Sequence, residues 1–127
     1  MQALFLVGAG GAVGAIARYG AGVLFGRLGL GDFPWATMTV NITGSFAMGL
    51  LISYLAHATP SNQHELRLLL AVGVLGGFTT LSSFSLDTVA LIERGQFGAA
   101  AGYVLVSVVV SVLALFAGLL VVRGFFA

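Results

Sequence analysis

Cysteine is absent from the 127 residues, which excludes a disulfide framework, a thiol nucleophile and a thiolate metal site. Charge is almost as scarce. Asp, Glu, Lys and Arg together make up 7% of the chain, where a soluble domain carries about a quarter. The formal net charge of +1 offers no basic patch to nucleic acid. Carboxylate pairs and buried histidines are missing too, so acid–base and metal chemistry have no carriers and an enzyme is not expected. His57 and His64 fall in a connection, where solvated histidines are ordinary. What is present is apolar: 59% hydrophobic residues and a mean hydropathy of +1.10, the composition of an integral membrane protein. Met1-Gln2-Ala3-Leu4 has no basic leader, and the apolar run behind it does not end in a cleavage motif. It reads as a first span rather than a signal peptide.

Four stretches can each cross a hydrocarbon core, which takes about 20 residues: Ala3–Phe25, Trp35–Ala56, Leu66–Ile92 and Phe97–Val122. Nothing between them marks a second domain, so residues 1–127 are expected to form a single four-helix transmembrane domain. The third stretch is the unusual one. As one straight helix, Glu65–Glu93 would be about 43 Å long, well beyond a core of about 30 Å. Near its middle runs G-V-L-G-G-F-T-T-L-S-S-F-S, Gly73 to Ser85. Each glycine there costs a helix interior roughly 1 kcal/mol against alanine. Broken backbone in a membrane is tolerated only where protein or water covers it. The expectation is a helix break at Gly76-Gly77, with freed carbonyls, hydroxyls and phenylalanines around it, and hence a candidate ion site.

Polar residues line up on the other spans at helical spacing. Thr37, Asn41, Ser45 and Gly49 recur every four residues on one stripe. Asn41 is the most informative of them, because an unpaired amide at membrane depth is costly. It can either bond between helices or offer N–H donors to a dehydrated anion. Tyr103, Ser107 and Ser111 form a narrow polar track on an otherwise oily fourth span. Thr80, Leu81 and Phe84 can share one face beyond the break. Arg18 lies inside the first apolar run, where it either snorkels to an interface or sits at an anion-attracting vestibule. Glycines of the first span at four-residue spacing, Gly10/Gly14 and Gly22/Gly26, mark close helix packing.

Orientation is barely specified. Four spans put both termini on one side, with Arg67 and Arg123; Arg27 and Arg94 lie on the other. The basic bias that fixes topology is close to nil, so the chain can insert both ways, and four short helices are few to enclose a shielded pathway. The expected architecture is an all-α membrane protein of four transmembrane helices, the third broken, assembled as an antiparallel dual-topology homodimer. Carbonyls from two breaks would meet on the two-fold axis, where a hard cation such as Na⁺ suits oxygen ligands.

Three motifs, one per span and in order, then fall into place: Gly14-Ala15-Ile16-Ala17-Arg18-Tyr19, T-M-T-V-N-I-T-G-S-F from Thr37 to Phe46, and G-G-F-T-T-L-S-S-F-S from Gly76 to Ser85. On them the chain resembles the CrcB/Fluc family of fluoride channels over essentially its whole length. The resemblance implies passive fluoride export that protects a bacterial cell from fluoride toxicity, from a dual-topology dimer in the inner membrane with two antiparallel fluoride pathways. It implies a central structural sodium on main-chain carbonyls of Gly76 and Thr79. It places Thr37, Asn41, Thr80, Leu81, Phe84, Tyr103, Ser107 and Ser111 along the fluoride pathway, and Arg18 at its vestibule. Three positions depart from the family pattern. Leu81 stands where the motif usually has its first phenylalanine, Ala36 replaces a common glycine, and Leu115 offers no hydroxyl to continue the track.

Two rivals compete with that reading. A small drug/proton antiporter also inserts both ways, but it needs a carboxylate deep in an early span, and the first two spans contain none. A structural membrane partner without transport would use the same polar residues for assembly alone.

Overall fold

Hydrocarbon offers no partner to backbone N–H and C=O groups, so apolar runs of this length close their hydrogen bonds internally as helices. The computed structural model, which describes residues 1–126, is all-helical. Helix α1 covers Gln2–Arg27 and α2 covers Trp35–Ala58. The third crossing, Gln63–Glu93, consists of α3 (Gln63–Leu66), a π-helical segment (Arg67–Leu75), α4 (Gly76–Phe78) and α5 (Ser82–Glu93). Helix α6 covers Phe97–Phe126. These are four helical stretches long and apolar enough to cross a membrane, and the protein is a multi-pass membrane protein. The observed helices overrun the spans read from the sequence at every end except Trp35 and Phe97. Helical hydrogen bonding continues past the apolar stretches to take in Arg27, Glu93 and Arg123.

The two turns on one side are built alike. Gly29 and Gly95 have φ of 76° and 75°, a left-handed conformation that glycine adopts at no steric cost. After α5, Gln96 N–H donates to Leu91 O and Gly95 N–H to Ile92 O; after α1, Leu30 N–H donates to Phe25 O and Gly29 N–H to Gly26 O. Both are Schellman closures that satisfy the last carbonyls of a helix.

Packing is pairwise. Helix α1 runs along the π segment and α4, while α2 runs along α6, with α5 leaning on α6. A small core of Met38, Leu91, Ala100 and Tyr103, flanked by Phe33, Ile42 and Phe84, ties α2, α5 and α6 together. Little else is interior: in three of the four spans only 11% of the most apolar window is buried within the chain. Most of the apolar surface therefore faces outward, available to lipid or to another chain.

The expected position of the break needs correcting. Gly76 has φ −63° and ψ −36°, ordinary helix, and helix continues through Phe78. The residue that leaves it is Thr79, extended at φ −83° and ψ 157°, and α5 begins at Ser82. The glycines serve a different purpose. A Cβ on Gly77 would lie 2.6 Å from the carbonyl oxygen of Gly11, so Gly77 lets α1 approach backbone to backbone. Close approach, not helix breaking, is what this glycine provides.

Candidate functional site

Where Thr79 turns out of the helix, four backbone groups change partners. In a continuous helix Thr80 N–H would donate to Gly76 O. It donates instead to Oδ1 of Asn41 at 2.7 Å, while Asn41 Nδ2 donates to Thr80 O at 3.0 Å. Ser83 N–H would reach Thr79 O; it donates to Thr80 Oγ1 at 3.1 Å. Gly77 O, whose helical donor would be Leu81 N–H, accepts from Arg18 Nε at 3.1 Å. The carbonyls of Gly76 and Thr79 have thus both lost their helical donors to side-chain oxygens, which leaves them as acceptors without their ordinary partner. Thr79 Oγ1 turns back onto Leu75 O at 2.8 Å.

A groove of about 560 Å³ opens beside these residues. Asn41, Thr80, Leu81, Phe84, Ser107 and Ser111 all line it, and Gly76 and Thr79 stand at its wall as well. Ser107 and Ser111 lie one turn apart on α6, so their hydroxyls are stacked about 6 Å apart along the axis. Both Oγ atoms are buried without a hydrogen-bond partner among the described residues. Leu81 is the most open of the group, 75% exposed, so the groove is unroofed on that side. Leu115 closes one end with an aliphatic chain.

The remaining candidates sit elsewhere. Arg18 and Thr37 line a second cavity of about 340 Å³, together with Ala36 and Ser83, and Thr80 is the residue shared by the two. Tyr103 lines neither. It is fully buried, donates to Asp87 Oδ2 at 3.2 Å and packs its ring 5.1 Å from that of Phe84. Its place is behind the groove, holding the Phe84 ring. The stripe Thr37-Asn41-Ser45 is thereby divided: Asn41 and Ser45 face the groove, and Thr37 faces the second cavity. Met48 and Ser83 also line these cavities; Ser83 belongs to the hydroxyl-rich stretch of the third span, and Met48 is not among the residues expected from the sequence. The spacing Asn41, Ser45, Met48 is the signal in the sequence for Met48. Among the described residues no cluster of three His, Cys, Asp or Glu could hold a metal ion, so the oxygens on offer here are uncharged ones of the main chain and of Asn, Ser and Thr.

Comparison with known proteins shows the family. Residues 5–119 match the family described as CrcB-like protein, Camphor Resistance (CrcB). The chain belongs to the CrcB-like family. Several of its CrcB relatives are curated as "Fluoride-specific ion channel FluC". The protein from Rhodospirillum centenum is 56% identical over 123 residues, 97% of each chain. That from Phenylobacterium zucineum is 56% identical over 128 residues and covers the whole of both chains. That from Agrobacterium fabrum is 53% identical over 121 residues, 95% of this chain and 96% of its own.

Proposed function

We propose that this CrcB chain is a fluoride-selective channel that lets fluoride leave the cell passively and so limits its toxicity, and that it is not an enzyme. The observation that carries this reading is the pair of buried hydroxyls, without a partner among the described residues, that Ser107 and Ser111 hold in the wall of the groove. Buried polar groups without a partner are costly, and a small, strongly hydrated anion is the ligand that two such donors fit. One amide proton of Asn41 remains after its bond to Thr80 O, since the side chain carries two, and the Phe84 ring edge is electropositive. These donors are serial and uncharged. They replace water around fluoride without holding it as firmly as a buried Lys or Arg would, which favours passage over trapping. Arg18 does not line the groove, so its charge does not trap the ion there. That relatives 53–56% identical to the chain carry the name of a fluoride-specific channel supports the same function.

The unroofed groove and the outward apolar faces support an antiparallel dual-topology homodimer in the cell membrane, in which a second copy covers the open side near Leu81. In that assembly the third span acts as two half-helices around Thr79–Leu81. The carbonyls of Gly76 and Thr79 suit a hard monovalent cation such as Na⁺, because both have lost their helical donors. Such an ion would satisfy acceptors that lipid cannot, and would have a structural role at the dimer centre.

Efflux from liposomes tests the channel reading. Vesicles carrying the purified protein and loaded with fluoride in chloride buffer are expected to release fluoride rapidly and retain chloride. Comparable chloride release, or no fluoride release above protein-free vesicles, overturns it.

A further inference from the structure

The carbonyls at the end of α4 do not become available by accident of the turn. Two side chains from other spans decide which of them stay open. Asn41, from α2, draws the Thr80 N–H onto its own Oδ1 and so holds it away from Gly76 O. Arg18, from α1, covers the neighbouring Gly77 O. Without the Asn41 acceptor, the Thr80 N–H has a helical partner one turn back, and taking it would extend the helix and consume the Gly76 carbonyl. Without Arg18, the Gly77 carbonyl becomes a third bare oxygen next to the other two.

We propose that Asn41 and Arg18 are positioning residues for the cation of the preceding section, and on that reading the inference rests: Asn41 keeps the Gly76 carbonyl free, and Arg18 withholds the Gly77 carbonyl. Neither side chain touches the ion. Asn41 therefore serves twice, with one face of its amide shaping the backbone of the third span and a spare proton facing the groove. This role differs from that of an anion donor, and it is separable by experiment.

The test uses the full-length protein in detergent, with NaCl titrated against N-methyl-D-glucamine chloride and two readouts: the thermal unfolding midpoint and the ¹³C carbonyl resonances of Gly76 and Gly77. In the wild type, Na⁺ is expected to raise the midpoint saturably and to move the Gly76 resonance while Gly77 stays still. Equal movement of both overturns the assignment of Arg18. In Asn41→Leu, Na⁺ affinity is expected to fall about 10- to 100-fold, the usual cost of losing a residue that orients a metal ligand. Asn41→Asp keeps the acceptor for Thr80 N–H and is expected to keep the saturable Na⁺ response. In Arg18→Met, the Gly77 resonance is expected to become Na⁺-sensitive. Wild-type affinity in Asn41→Leu, loss of the response in Asn41→Asp, or a silent Gly77 in Arg18→Met overturns the proposal and leaves the cation reading standing. A wild type with no saturable Na⁺ response and no carbonyl movement removes the cation itself, and the positioning role with it. The wild-type and Asn41→Asp arms decide the matter even if the other variants do not fold.

Discussion

Asn41 and Thr80 exchange two hydrogen bonds across the interior, amide Nδ2 to carbonyl at 3.0 Å and backbone N–H to Oδ1 at 2.7 Å. That is the pattern two opposed residues form in an antiparallel ladder, with one side supplied by a side chain. A single asparagine thus satisfies both main-chain groups of a residue that stands outside any helix.

Replacing that asparagine is expected to cost stability and flux together. Asn41→Ala leaves the Thr80 C=O unpaired, while the Thr80 N–H can turn back to Gly76 O, and one lost partner in such a setting costs about 1–3 kcal/mol. Chemical unfolding in detergent should show a loss in that range. Fluoride efflux should fall about tenfold or more, the factor that corresponds to ~1.4 kcal/mol. Wild-type stability in Asn41→Ala would mean that the Thr80 carbonyl also finds another partner.

Ser107 and Ser111 are expected to behave in the opposite way. Their hydroxyls have no partner in the protein, so Ser107→Ala and Ser111→Ala remove a polar burden instead of a bond. Replacing an unsatisfied group by an apolar one of similar shape is close to neutral or stabilising. The unfolding midpoint should hold or rise, while fluoride efflux drops. An unchanged efflux with a lowered midpoint would give these serines a purely structural role.

Leu81 offers a gain. It lines the groove and is 75% exposed, so a larger ring there meets no packed wall within the protomer. Leu81→Phe adds a second aromatic edge beside Phe84, and edges of this kind attract anions. Efflux is expected to increase with no loss of stability. A decrease would count against an anion contact at this position.

The seam between α1 and the third span should be intolerant of any side chain. A Cβ on Gly14 would collide with the carbonyl of Val74, whereas one on Gly8 meets nothing within 4 Å. Gly14→Ala is expected to cost about 1–3 kcal/mol by overpacking, and Gly8→Ala to be neutral. Matched thermal unfolding of the two variants checks the contrast.

Much of this was legible from the residues alone, and the reasons are specific. Helical spans follow from apolar run length, because the bilayer leaves the backbone no other choice. Asn41 stood out because a buried amide must have a partner. What the sequence could not give was the partner itself: Asn41 meets Thr80 and Arg18 meets Gly77 at separations of 39 and 59 residues, and such pairings are decided by how helices pack. The same limit explains Gly76-Gly77. Intrinsic helix preference marks them as weak points, yet the approach of Gly11 gives Gly77 a packing role that propensity does not register. Thr37 and Asn41 share a stripe on α2 but open onto different cavities, because Thr80 from another span stands between them.

The π-helical winding of Arg67–Leu75 resets the angular bookkeeping of everything beyond it. Bonding five residues back turns the chain through less than the 100° per residue of an α-helix. A wheel drawn from Gln63 at 3.6 residues per turn therefore slips out of phase before it reaches Thr79. Shortening this coil by one residue would swing the threonine pair around the axis, away from its asparagine, without altering a single side chain at the site.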